Sequence, residues 1–255
     1  MSGPIASTHI FQFNAYSDAG RSLFAHRRRL ATTPGLRFSR LVFTGSTSSE
    51  GFQIGIVEPR RQLAMCVWEN ERALDKFLEH SPIGRSWQAD TNQYCELRMK
   101  PFRAHGSYRG HEPFAGMQPL DPPGGPVAIW TFANIRPRGL RYFWDEIRGA
   151  TDRLVASPGL IAGTAGPEHL YRGAMTFTIW EDLADTVRFA YRSAPHKGIV
   201  RDVKKQNLLT ESMFIRFSPY VATGRWPAYS GFARQFEAFA GLLHAAGVAP
   251  AGASS

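Results

Sequence analysis

The chain has 255 residues, 43% hydrophobic and 13% aromatic, with a net charge of +9. That composition excludes a disordered chain and suits one large or two ordinary domains with a substantial core. The charge raises the question of a nucleic-acid partner. However, the basic residues are dispersed, the densest run is only Arg27-Arg28-Arg29, and no helix-turn-helix, zinc-finger or RNA-binding aromatic signature accompanies them.

Cys66 and Cys95 give neither a disulfide framework nor zinc-ligand spacing, which favours a reducing cytosol. The first residues, Met-Ser-Gly-Pro-Ile-Ala-Ser-Thr, lack the basic-then-apolar pattern of a secretory signal. No apolar run approaches the roughly 18 residues of a membrane span. A cytoplasmic location is the expectation.

The first strand is expected over about 8–16, with Phe11, Phe13 and Ala15 on one face. A helix follows over about 18–31, carrying Leu23, Phe24, Arg27 and Leu30, and Pro34-Gly35 stops it. Strands near 36–45 and 61–69, a helix from Glu71 with Leu74, Phe77 and Leu78 on its stripe, and a strand over 93–104 complete the pattern β-α-β-β-α-β. The pattern then recurs. Its second passage has a strand at 127–135, a helix at 139–156, strands near 160–165 and 173–181, a helix from Ala184, and a strand over 212–222. Residues 111–126 are too rich in proline and glycine for helix or central strand and read as a linker. Phe232, Phe236, Phe239 and Leu243 mark a short helix before a frayed tail.

Residue identities echo this recurrence. Arg98, Pro101, Ala104 and Gly106 return at one constant spacing as Arg216, Pro219, Ala222 and Gly224. Pro34-Gly35-Leu36 returns as Pro158-Gly159-Leu160, and Trp68-Glu69 as Trp180-Glu181. Ile10-Phe11-Gln12-Phe13 is matched to Ile129-Trp130-Thr131-Phe132. The expected fold is therefore α+β: two tandem ferredoxin-like β-α-β-β-α-β repeats packed sheet to sheet as an intrachain dimeric α/β barrel. The divisions are 1–110 (first repeat), 111–126 (linker), 127–227 (second repeat, with the site) and 228–255 (C-terminal helix and tail).

Residues shared by both passages read as architecture, and residues unique to one as candidates for chemistry. The foremost of these is His196. Aligning Pro195 with Pro82 puts His196 where the first passage has Ile83. A histidine replacing an apolar residue in one passage suits an axial ligand for haem iron better than a packing role. Arg192, Lys197, Arg201, Lys204 and Lys205 surround it in sequence. Arginines there could receive haem propionates, although a solvated helix face would carry the same charges. Arg216 is a further candidate, weakened because Arg98 mirrors it and a shared structural salt bridge explains both. Trp130, Phe132, Phe143, Trp144, Phe177 and Phe217 could wall a substrate pocket or simply form core, and strand alternation lets only some face inward. Glu69 and Glu181, following matched tryptophans, read as turn residues. His9, His26, His80, His105, His111, His169 and His244 show no metal spacing. No GxSxG, HExxH, Walker or GxGxxG motif is present.

The second passage resembles the spheroidene monooxygenase family, the haem-binding carotenoid ketolases. Phe189-Ala190-Tyr191-Arg192, then His196 and Ile199-Val200, carry the resemblance, with Glu211 and Phe214-Ile215-Arg216-Phe217 matching the family's Glu-Glu-Leu-Phe-Ala-Arg-Phe stretch. Pro158-Gly159-Leu160 and the strand from Phe177 to Trp180 match as well. Coverage is good over about 127–226 and mainly architectural before 110. The family has Trp-Tyr where this chain has Leu208-Leu209.

The resemblance implies a haem b oxidoreductase of the dimeric α/β-barrel type, monooxygenase-like, that oxidises a hydrophobic small molecule in pigment or secondary metabolism with O₂ and an external electron donor. His196 would be the proximal ligand. Arg192, Arg201 and Arg216 would be the cofactor's polar neighbours, and Trp130, Phe132, Phe177 and Phe217 the pocket aromatics. Two other readings remain open: a cofactor-free barrel oxygenase or cyclase acting on a polyketide, and a haem or lipophile carrier without catalysis.

Overall fold

The computed structural model describes residues 3–48, 51–122, 124–168, 172–192, 205–226, 232–233 and 235–245. The first strand, β1, spans Ile5–Phe13. A continuous helical stretch follows, made of α1 (Tyr16–Arg21), a π-helical turn (Ser22–His26) and α2 (Arg27–Leu30). The wider turn re-aims the side chains. Phe24, expected on the buried stripe with Leu23 and Leu30, is 74% exposed, while Ser22 and His26 point inward.

Next come β2 (Leu36–Ser48) and β3 (Gly51–Trp68). They form one long hairpin whose pairing persists to Ser48 opposite Gly51, well beyond the expected strand ends. Its outer rungs are rich in Ser, Thr and Gly, so backbone pairing holds them without the apolar alternation that a sequence reading detects.

The expected helix from Glu71 is two helices, α3 (Glu71–His80) and α4 (Pro82–Ala89). Asn70 caps the first by accepting from Ala73 N at 3.0 Å. Ser81 caps the second by accepting from Ile83 N at 3.1 Å, with Pro82 in the first turn, where its missing N–H costs nothing. β4 (Thr91–Gly106) completes the first half.

The second half contains β5 (Val127–Ile135), α5 (Leu140–Val155), β6 (Leu160–Glu168) and β7 (Gly173–Trp180). It continues with α6 (Leu183–Val187), a π-helical segment (Arg188–Arg192) and β8 (Leu209–Gly224). Phe232 belongs to a short strand, β9 (Phe232–Ala233), paired with β6, and not to the C-terminal helix. That helix, α7, spans Phe236–Ala245. The stretch 111–122 contains no helix or strand beyond one bridge between Tyr108 and His111. It is nonetheless attached, since Phe114 joins the core and Leu120 N donates to the Phe102 carbonyl at 2.9 Å.

The nine strands of the described residues belong to one antiparallel sheet, in the order β2-β3-β1-β4-β8-β5-β7-β6-β9. Each half thus has the ferredoxin-like order, and the halves meet edge to edge where β4 pairs with β8. At the other side of the sheet β6 approaches β2: a Cβ on Gly166 would collide with the Phe43 carbonyl oxygen.

One face of this sheet forms a core common to both halves, with Ile10, Met65, Leu97, Trp130, Phe177 and Phe217 among its members. A second core, drawn from the first half alone, lies between that half's strands and helices and includes Phe11, Phe13, Trp68, Phe77, Ile83 and Trp87. Cys66 lies in the second core and Cys95 in the first, both as free thiols on opposite faces of the sheet.

The strand register corrects one sequence match. Trp68 pairs with Ile5 and Trp180 with Val127, so β1 corresponds to β5 with Ile5 at Val127. Ile10 then corresponds to Phe132, not Ile129. The sequence alignment was out by an odd number of residues, which places each side chain on the wrong face. The other matches keep their register. Gly35 and Gly159 both have φ near 76°, and each carbonyl accepts at 2.8 Å from the glutamate after the matched tryptophan, Glu69 N or Glu181 N.

Candidate active site

The strand face turned toward the helices differs sharply between the halves. In the first half Ser7, His9, Phe11 and Ala64 are all fully buried there. Trp68 Nε1 donates to Ser7 Oγ at 2.8 Å. Ser7 Oγ lies 2.8 Å from His9 Nε2, and His9 Nδ1 lies 2.9 Å from the Tyr94 hydroxyl. Burial, assisted by the Arg98 charge, holds the His9 imidazole neutral, with its pKa lowered to about 3. His9 is therefore a satisfied core histidine in a space that is already filled.

The matched positions of the second half are Ile129, Thr131, Ala133 and Thr176. Ile129, Thr131 and Thr176 are only half-buried, and Phe214 beside them on β8 is 46% exposed. The α5 side chains Phe143, Trp144 and Leu154 are likewise only partly covered, because α5 leans against β3 of the other half. Small residues, a displaced helix and an exposed aromatic leave this helix-facing surface open among the described residues.

The elements around the opening are firmly set. Asp182 caps α6 by accepting from Asp185 N at 2.8 Å, as Asn70 does for α3. The following π-helical segment is a type of irregularity that concentrates at functional sites. Phe189 packs on Trp180, with ring centroids 5.5 Å apart. A cleft of about 360 Å³ opens between the C-terminal end of α5 and this segment, lined by Arg153, Ala156, Ser157, Pro158, Asp185, Arg188 and Phe189.

Arg216 lies half-buried on the open face. Its counterpart Arg98 is held by three carboxylates: Glu96 at 2.7 Å, Glu71 at 2.9 Å and Asp75 at 2.6 Å. The positions matching those acids are Phe214, Leu183 and Val187. The shared salt bridge expected from the Arg98–Arg216 match is thus not reproduced with the same partners, although Arg216 has interactions of its own.

Arg192 ends the π-helical segment. His196 and Arg201 lie outside the described residues. Trp130, Phe132, Phe177 and Phe217 come together, all fully buried in the common core, on the face opposite the opening. Among the described residues no cluster of His, Cys, Asp and Glu could hold a metal ion. Among the described residues no helix is long and apolar enough to cross a membrane.

The residues that sequence reasoning missed are Ile129, Thr131, Thr176 and Phe214. The available signal was the loss of bulk between Phe11 and Ala133, which the misaligned first strand concealed.

No protein-family model matches the chain. It is 29% identical over 194 residues to the spheroidene monooxygenase of Rubrivivax gelatinosus, covering 76% of this chain and 72% of that one. With the spheroidene monooxygenase of Rhodobacter capsulatus the identity is 26% over 229 residues, 88% and 93% of the two chains. With that of Cereibacter sphaeroides it is 22% over 223 residues, 85% and 67%. These alignments bear out the resemblance carried by residues 189–217 and extend it into the first half. Among solved structures, an aldoxime dehydratase superposes with a TM-score of 0.55 at 11% identity, over 85% of this chain and 81% of that one. That likeness is one of fold. The chain therefore has the α+β architecture of that enzyme and a sequence similar to the spheroidene monooxygenases.

Proposed function

We propose that the protein is a haem-dependent oxidoreductase of the monooxygenase type, acting on a hydrophobic small molecule of pigment metabolism. The observation that carries this reading is the opening between helices and sheet in the second half, at the place where the first half is solidly packed. Its sequence similarity to three spheroidene monooxygenases supports the oxidising chemistry. We read the halves as tandem repeats, 1–110 and 127–227, joined by the 111–126 linker, followed by the 228–255 tail and closed into an intrachain α/β barrel. Matched glycines, tryptophans and strand order support that arrangement.

The residues present suit a haem. The open face offers apolar and small side chains, with Arg216 among them, and the cleft at the end of α5 carries Arg153 and Arg188. His196 would hold the iron. Its sequence counterpart Ile83 is buried in the core under the helices of the first half, the kind of position from which a side chain addresses that space. Arg192, Arg201 and Arg216 would receive the propionates through charge-assisted hydrogen bonds. When bound, haem b supplies iron-centred activation of O₂ with electrons from an external donor. Phe214, Ile129 and the partly covered α5 aromatics would hold the apolar substrate and exclude water. Trp130, Phe132, Phe177 and Phe217 would stiffen the sheet behind them. Two unpaired, buried thiols fit the reducing cytosol as its location.

The test is spectroscopic. Protein expressed with a haem precursor should show a Soret band, and His196→Ala should abolish or strongly shift it while circular dichroism stays unchanged. A folded, colourless protein that takes up no hemin overturns the haem reading. Haem-loaded protein that never turns over an apolar substrate with reductant and O₂ would make it a carrier.

A further inference from the structure

A second charged site lies at the far end of the β5–β7 pair. The cleft described above adjoins Trp180, which pairs with Val127, whereas this one adjoins Asn134, which pairs with Gly173. Seven residue-to-residue steps along β5 separate the two ends, about 24 Å at the usual rise. The second cleft has a volume of about 320 Å³ and is lined by Tyr108, Arg109, Asn134, Arg172 and Gly173.

Tyr108 and His111 close a tight turn through reciprocal backbone hydrogen bonds of 3.0 and 3.1 Å. Its two corner residues, Arg109 and Gly110, have φ of 55° and 72°. Glycine suits such a corner, but arginine does not, because its Cβ crowds the backbone in the left-handed region. Glu211 enforces the turn. Its carboxylate accepts from Arg109 N at 2.7 Å, Gly110 N at 2.9 Å and Ser107 Oγ at 3.2 Å. The Gly110 N–H in particular holds that carboxyl below its ordinary pKa. A strained arginine clamped by a dedicated carboxylate indicates that its side chain is wanted where the turn aims it.

The surroundings are cation-rich. Glu168 is buried, accepts from the Tyr108 hydroxyl at 2.7 Å and contacts Arg27. Arg40 and Arg109 each stand 4.0 Å from it, outside hydrogen-bond distance, and the buried Nε of Arg40 has no acceptor. Arg172 sits exposed on the cleft. Three guanidinium groups, of Arg27, Arg40 and Arg109, thus lie within 4.0 Å of the Glu168 carboxylate, and Arg172 adds a further cation on the cleft beside Arg109, an arrangement that suits an anionic ligand. Gly173 preserves the arrangement, since a Cβ there would strike the Tyr108 hydroxyl.

We propose that this cleft binds a small oxyanion, a phosphate or carboxylate group, between Arg109 and Arg172. The site is independent of haem. Its test uses the full chain at constant ionic strength, titrated separately with inorganic phosphate and acetate, with binding followed by ³¹P line width and by thermal shift against a chloride control. Saturable binding of at least one oxyanion is expected. Arg172→Gln should weaken it tenfold or more. Arg109→Gly should abolish it while raising the melting temperature of the ligand-free protein, because the strain is gone. Preference for phosphate identifies a phosphate group as the ligand, and preference for acetate a carboxylate. Failure of both to saturate at tens of millimolar, or binding unchanged in both variants, overturns the proposal.

Discussion

The indole Nε1 of Trp130 donates to Oγ1 of Thr8 at 2.9 Å, both side chains fully buried. Thr8 on β1 and Trp130 on β5 occupy matched positions, each the third residue past the strand end that faces Trp68 or Trp180. The bond therefore ties the two halves together across the common core through equivalent points. The ring also packs on Phe217, with centroids 4.7 Å apart.

Trp130→Ala should accordingly destabilise the protein by about 3–5 kcal/mol, the range for removing a buried aromatic. Thr8→Val keeps the volume but strands the indole N–H, at a cost of about 1–3 kcal/mol. Urea titrations of both variants check this. A Trp130→Ala protein as stable as the parent would show that the residue lines a cavity and not core.

Acid should weaken the protein through His9. Its folded-state pKa of about 3 lies below the ordinary 6.5, because burial and the Arg98 charge disfavour the imidazolium. The unfolded chain therefore binds the proton first. The contribution of His9 is constant above pH 6.5 and falls as the pH drops from there toward about 3, by no more than about 1.4 kcal/mol per unit. Measured stability of His9→Gln, compared with the parent from pH 7 to 4, should decline less steeply. Parallel curves would mean that His9 does not titrate on unfolding in this range.

Gly35 and Gly159 test the local geometry that the sequence match exposed. A Cβ at Gly35 would meet the Ala73 side chain, one at Gly159 the Asp185 carboxylate, and both backbones are left-handed. Alanine at either position should destabilise by more than about 1 kcal/mol, while Gly3→Ala, with open space around it, should be neutral. Thermal melts of the three variants decide the matter.

These elements also show what the sequence makes legible. Val127–Ile135 is read to the residue because apolar alternation, a preceding proline and a polar end coincide there. The Pro-Gly-Leu and Trp-Glu matches survive because each marks a conformation that local chemistry enforces. The β1–β5 match fails because Ile10-Phe11-Gln12-Phe13 and Ile129-Trp130-Thr131-Phe132 alternate alike in type, although neighbouring strands shift their register. That one slip hides the open face, since it pairs Phe11 with Trp130 when its true counterpart is Ala133. The Arg109–Arg172 cleft is illegible for another reason: its residues come from separate turns that only the folded sheet brings together.

The contrast between Arg98 and Arg216 gives the sharpest separation of architecture from function. Arg98 neutralises Glu96, which is almost fully buried and whose pKa burial would otherwise raise further. Arg98→Gln leaves that carboxylate, with Glu71 and Asp75, without its cation. The loss should be about 3–5 kcal/mol, as when one partner of a buried pair is removed. Arg216 has Phe214, Leu183 and Val187 where Arg98 has acids, so Arg216→Gln breaks none of the three matching ion pairs and should cost less than Arg98→Gln. If Arg216 meets a haem propionate, its loss should instead weaken hemin retention, read as faster transfer to an excess of apomyoglobin. A large stability loss with unchanged hemin transfer would make Arg216 a structural residue like its counterpart.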